Sequence, residues 1–165
     1  MKIQVGDTFP DAHIHLPDTQ ATGSEPIPTA TTTHEKFKGK TVVLVGDTGA
    51  YIPSSEERIR GFLQHHDALT AKGVDMIAFM TSDDVFVMHA WGLHLGVGDK
   101  IQLLTDGNMD LGVQLGLERN LRGPGMGTRM VRIVMILKDL KVMHLSTDSD
   151  DGATSVDAEA ALANL

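Results

Sequence analysis

Thr41-Val42-Val43-Leu44-Val45-Gly46-Asp47-Thr48-Gly49-Ala50-Tyr51-Ile52-Pro53-Ser54-Ser55-Glu56 is the stretch on which the fold of this chain turns. From Thr41 to Gly46 it is a β-branched, apolar run, the pattern of a strand covered on both faces. The residues beyond Gly46 predict a turn into a helix from about Glu56 to Lys72. Ser54 with Glu57 three residues later fits a capping box, and Ile59, Phe62, Leu63 and Leu69 supply an apolar stripe. Gly73 ends that helix, and Val74 to Met80 reads as the next buried strand.

Working outward, Ile3 to Asp7 is a short extended piece turned at Gly6-Asp7, and Ala12 to Leu16 alternates like a strand. Asp18 to Thr33 is rich in Thr, Pro and Gly and predicts a surface loop. On the other side, Asp83 to Leu95 predicts a helix with Phe86, Val87, Ala90 and Trp91 at helical spacing. Ile101 to Leu104 predicts a strand and Met109 to Leu117 a short helix. The Gly123–Gly127 loop leads into a strand from Arg129 to Leu137, which pairs with Val142 to Leu145 through a turn near Lys138-Asp139. Ser155 to Leu165 closes the chain as a helix. Strands alternating with helices, then an antiparallel pair and a last helix, predict an α/β sandwich with a central mixed sheet flanked by helices.

The chain of 165 residues fits one domain spanning 1–165, and 41% hydrophobic with 22% charged residues is ordinary for a soluble globular protein. A formal net charge of -8 argues against a nucleic-acid partner, which needs a basic footprint. No apolar run approaches the roughly 20 residues that span a bilayer. Asp7, Pro10 and Asp11 come too early for a secretory signal, so a cytoplasmic location is expected. The cysteine count is zero, which excludes disulfides, zinc–thiolate sites and any cysteine nucleophile.

The Thr41–Glu56 segment resembles the active-site segment of the peroxiredoxins, most closely the peroxiredoxin-5 type. Further likenesses are Val5-Gly6-Asp7, Phe37-Lys38-Gly39-Lys40, Ala71-Lys72-Gly73-Val74, Ser82 to Met88, Ala90-Trp91-Gly92, Leu104 to Gly107 and Arg129-Met130-Val131-Arg132. The resemblance implies a thioredoxin-like fold, a homodimer, no cofactor, and reduction of hydroperoxides by a thiol. That family carries Pro-x-x-x-Thr-x-x-Cys at this junction. Here Thr48 stands at the Pro position, Ile52 at the Thr position and Ser55 at the position of the peroxidatic Cys. Arg129 is matched to the family Arg that holds thiolate and peroxide, and Ser155 lies near the position of a resolving Cys.

Each difference has a chemical consequence. A peroxidatic Cys works as a thiolate, favoured by a helix N-terminus and a nearby Arg. Ser55 keeps the size and the place, but oxygen has no counterpart of the sulfenate step. Ile52 offers no hydrogen bond to a peroxide. Peroxide reduction is therefore expected to be absent, and a thiol reductant (the thioredoxin or glutathione system) is expected as partner only if a Cys is restored. A change confined to Ser55 would leave Thr48 and Ile52 unaccounted for, so the pattern reads as a natural loss. The alternative function is a non-catalytic binding or interaction protein on the same scaffold.

A serine nucleophile at Ser55 would need a base and an oxyanion site, and no Gly-x-Ser-x-Gly elbow surrounds it. His13 with His15, His65 with His66, and His89 with His94 raise a third reading, metal binding. None makes the i, i+4 pair of a helical metal site, and half-buried or surface histidines are expected instead. The Gly123–Gly127 loop lacks a P-loop Lys and reads as a flexible connector. Trp91 and Phe86 fit a helix core face, and Asp148-Ser149-Asp150-Asp151 reads as a solvated turn.

Overall fold

The Thr41–Gly46 run is an interior strand of a seven-stranded mixed sheet in a computed structural model that describes residues 2–148 and 155–165. The first half of the chain contributes β1 (His13–Asp18), β2 (Ile27–Thr32), β3 (Thr41–Gly46), β4 (Met76–Thr81) and β5 (Gln102–Thr105). Next, β6 (Glu118–Leu121) and β7 (Gly127–Met130) form a separate two-stranded ribbon, and β8 (Ile133–Lys138) and β9 (Lys141–Thr147) return to the sheet. The helices are α1 (Thr33–Phe37), α2 (Pro53–Gln64), α3 (His66–Ala71), α4 (Val85–Leu95), α5 (Asp110–Leu115) and α6 (Ala158–Ala163). Strand order is β2-β1-β5-β4-β3-β8-β9, with β3, β4 and β5 parallel and the remaining pairs antiparallel.

Because side chains alternate across a strand, an uninterrupted apolar strand feeds two cores at once. Val42 and Leu44 of β3 join Ala78, Met80, Met135 and Leu137 on one face, covered by Phe37 of α1 and Leu111 and Leu115 of α5. Val43 and Val45 join Ile77, Phe79, Val134 and Ile136 on the other. That second face is covered by Ile59 and Phe62 of α2, Leu69 of α3, Met88, Trp91 and Leu95 of α4, and Ala158 and Ala161 of α6. The β3–α2 junction therefore emerges at the end of a strand held on both faces, and this rigidity positions the site.

Several elements depart from expectation. The Asp18–Thr33 loop contains β2, an edge strand on which Pro28 lies opposite Pro17. Edge position is where a sheet tolerates Pro, and the Thr run supplies β-branched residues. The helix expected over Glu56–Lys72 starts at Pro53 and breaks at His65, whose ring Nδ1 bonds the Gly61 carbonyl at 2.8 Å. The capping box does not form: Pro53 opens α2 after Ile52, which makes no side-chain cap bond. In α4 the buried stripe is Val85, Met88, Trp91, Gly92 and Leu95, while Phe86 is 53% exposed. That helix is apolar nearly all round, so periodicity could not choose its inner face.

The strand expected over Arg129–Leu137 is divided at Val131 and Arg132, and the preceding Gly-rich loop closes the β6–β7 hairpin. The turn joining β8 to β9 has Asp139 at φ 45° and Leu140 at φ 69°. Two positive φ values are what a two-residue hairpin needs to follow the sheet's twist. Of the acidic run, Asp148 is an ion-pair partner rather than a solvated residue, and Ser149, Asp150 and Asp151 lie outside the described residues.

Candidate functional site

Three segments meet where β3 gives way to α2: the loop Asp47–Ile52, the first turns of α2, and Arg132 between β7 and β8. Asp47 leaves the strand with its backbone N–H donating to the Met80 carbonyl at 2.9 Å, and its side chain is wholly buried. Ser55 is also wholly buried, and its hydroxyl donates to Asp47 Oδ1 at 2.6 Å. The Thr48 backbone N–H donates to the same oxygen at 2.6 Å, and Arg132 Nε does so at 3.2 Å. Arg58 Nη1 donates to Asp47 Oδ2.

Arg58 uses all five of its N–H donors here. Beyond Asp47 it bonds the Gly46 and Ile133 carbonyls at 3.0 and 3.1 Å and the Val156 carbonyl twice, at 3.0 and 2.9 Å. Burial pulls its guanidinium below the usual range, and the Asp47 carboxylate opposes that pull. Arg132 also donates to Ser54 Oγ, and its Nη1 lies 3.7 Å from Asp148 Oδ2. Asp148 in turn accepts the Arg132 backbone N–H at 3.1 Å and pairs with Arg119 at 3.5 Å. The centre is thus a buried carboxylate between two guanidiniums, with the Ser55 hydroxyl bound to it.

The four residues singled out from the sequence are not brought together equally. Ser55 sits at the centre. Thr48, which is 6% exposed, belongs to the loop that wraps Asp47. Ile52 stands at the start of α2, and its Cδ1 would lie 3.2 Å from a Cβ built on Gly49. Arg129 contacts that loop elsewhere: its Nη1 donates to the Thr48 carbonyl at 3.1 Å and reaches Asp83 Oδ1 at 3.4 Å. Asp83 holds the loop as well, accepting the Ala50 N–H at 2.7 Å. Arg129 therefore braces the loop, whereas Arg132, with Arg58, reaches the Asp47–Ser55 group. Three positions separate Arg129 from Arg132, and the break between β7 and β8 at Val131–Arg132, invisible as periodicity, sends their side chains to different places.

Asp47 and Arg58 were missed by sequence reasoning, although both left a signal. Asp47 is an acid abutting a fully apolar strand, and Arg58 follows Ser55 by three residues, hence on the same helix face. Tyr51 closes the loop outward with φ 63°, its ring centroid 6.3 Å from Trp91 and 6.0 Å from His94. His65 bonds the Gly61 carbonyl and lies 3.5 Å from Glu159, and His94 lies 3.5 Å from Glu56. Among the described residues no three His, Asp or Glu side chains are grouped to hold a metal ion.

The Redoxin family model matches residues 4–162. The chain belongs to the peroxiredoxin family. Peroxiredoxin-2B of Arabidopsis thaliana is 35% identical over 148 residues, covering 89% of this chain and 88% of the relative. Reduced Prx3 of Vibrio vulnificus, solved in complex with hydrogen peroxide, superposes with a TM-score of 0.88 at 33% identity, covering 98% of each chain. Peroxiredoxin 5 of Alvinella pompejana superposes with a TM-score of 0.83 at 28% identity, over 98% of this chain and 97% of that one. The thioredoxin-like α/β fold expected from the sequence is the fold of these peroxiredoxins. Within that family this chain carries no cysteine at all.

Proposed function

We propose that this chain is a peroxiredoxin of the peroxiredoxin-5 type in which Ser55 stands at the peroxidatic position, and that it acts by binding rather than by reducing peroxides. The observation that carries this reading is the Ser55 hydroxyl, buried and donated to Asp47, in a chain with no cysteine. Peroxide reduction begins with a thiolate attacking one peroxide oxygen, so that the O–O bond breaks to give a sulfenic acid and hydroxide, which takes up a proton to become water. A buried alcohol supplies neither the nucleophile nor the oxidisable atom. Ile52 and Thr48 add to the case, because neither reproduces the motif residue at its position.

The interaction surface we assign is the outward face of α4, where Phe86 and Leu93 are 53% and 71% exposed on a helix that is apolar on its inner side too. Tyr51, 49% exposed, flanks it. Such a face supports a homodimer built through α4. The deciding assay is consumption of hydrogen peroxide with dithiothreitol as reductant. The native chain is expected to consume no more than buffer does, and turnover by it would overturn the reading.

A further inference from the structure

Four surface cavities are lined by residues such as His66 with Asp99, His89 with Leu103, Lys2 with Gln114, and His15 with Asn108. None of these four is lined by Ser55, and none gathers a buried, unpartnered polar group. The buried group that the proposed function leaves unexplained is Asp47. A carboxylate with no exposed surface is expensive to desolvate unless its charge is compensated. Arg58, Arg132, the Thr48 N–H and the Ser55 hydroxyl supply that compensation.

We propose that Asp47 occupies, from within the chain, the anion position that Arg58 and Arg132 create beside Ser55, so that the Ser55 site takes no external anion and will not hold a thiolate while Asp47 is present. The inference rests on the reading of Ser55 as the peroxidatic position for its meaning, but not for its test. Two guanidiniums converging beside the side chain at position 55 make a place for one negative charge. Asp47 Oδ1 already fills it, 2.6 Å from the atom at position 55. A thiolate there would face a carboxylate at contact distance, and like charges so close disfavour the second ionisation. Arg132 is further shared with Asp148, which draws part of its charge away from position 55. Arg129 is paired with Asp83 and adds no free cation.

The test uses the absence of native cysteine, since Ser55→Cys introduces a single thiol whose ionisation is read by ultraviolet thiolate absorbance. In Ser55→Cys the thiol is expected to titrate above the ordinary value of about 8.5. In the double variant with Asp47→Asn, which keeps the shape and removes the charge, it is expected below about 8.5, beside Arg58 and Arg132. A Ser55→Cys thiol that titrates at or below the ordinary value, or identical titrations in the two variants, would overturn the proposal. If the double variant does not fold, a Ser55→Cys thiol at or below the ordinary value still overturns the proposal, because burial and Asp47 both push it up. A second arm keeps Ser55: Asp47→Asn is expected to gain thermal stabilisation from inorganic phosphate that the native chain lacks, and equal responses would count against the assignment. Because neither arm reads peroxide turnover, an active native chain would sink the proposed function without touching this inference.

Discussion

Arg58 ties four segments together: β3 through Gly46, the loop through Asp47, β8 through Ile133, and the C-terminal stretch through Val156. Its side chain is 10% exposed and that of Asp47 is wholly buried, so solvent screens the pair little. Removing one partner of a buried pair leaves an undercompensated charge, which costs about 3–5 kcal/mol. Arg58→Ala is accordingly expected to lose about that much in urea denaturation, and a loss below about 1 kcal/mol would show that Arg132 alone suffices. A second residue contributes to acid behaviour. His144, bonded to Ser146 Oγ at 2.6 Å, is held below its ordinary range by burial. The unfolded chain binds that proton near pH 6.5 while the folded chain still refuses it, so stability falls as pH drops below about 6.5. His144→Gln is expected to flatten the stability profile through that window, measured by the denaturation midpoint from pH 7 to about 5.

Among the elements, β3 and β8 pack closely at Gly46. Gly46 pairs with Ile133, and a Cβ added to it would meet Met130 Sδ at 2.5 Å and Ile133 Cγ1 at 2.8 Å. Replacing a strand glycine by alanine gains about 0.5–1 kcal/mol in chain entropy, whereas overpacking costs about 1–3 kcal/mol. The packing cost wins here, because Ile133 is wholly buried and has little room to move. Gly46→Ala is expected to lower the urea midpoint with an unchanged slope, and a raised midpoint would mean that β8 shifts freely. Since the Gly46 carbonyl accepts from Arg58, any such shift passes directly to the Asp47–Ser55 group.

For the whole molecule, the question is what the α4 face meets. Phe86 and Leu93 are one helix face seven residues apart, and both point away from the core. If two copies join through that face, Leu93→Glu places a charge in an apolar contact and its mirror image opposes it across the two-fold axis. Light scattering after gel filtration is expected to give the mass of a dimer for the native chain and of a monomer for Leu93→Glu, with unchanged far-ultraviolet circular dichroism. Equal masses for the two would remove α4 from the interface.

Much of the fold was legible in the sequence because strong local patterns need no partner to be read. The Val42–Val45 run, the Ile59–Phe62 stripe and the turn near Lys138-Asp139 each announce an element through spacing and turn chemistry. The β2 strand was hidden because an edge strand of Thr and Pro looks like a loop until β1 lies beside it. At the site, the sequence by itself determined that Ser55 heads a helix and that no thiol exists. Packing alone reveals that Asp47 lies against Ser55 and that Arg58 and Arg132 are the arginines that meet it. Local spacing places a residue on its own strand or helix, whereas a buried ion group is assembled from segments as far apart as Asp47 and Arg132. Its geometry is therefore set by how the sheet and helices pack, not by any run of neighbouring residues.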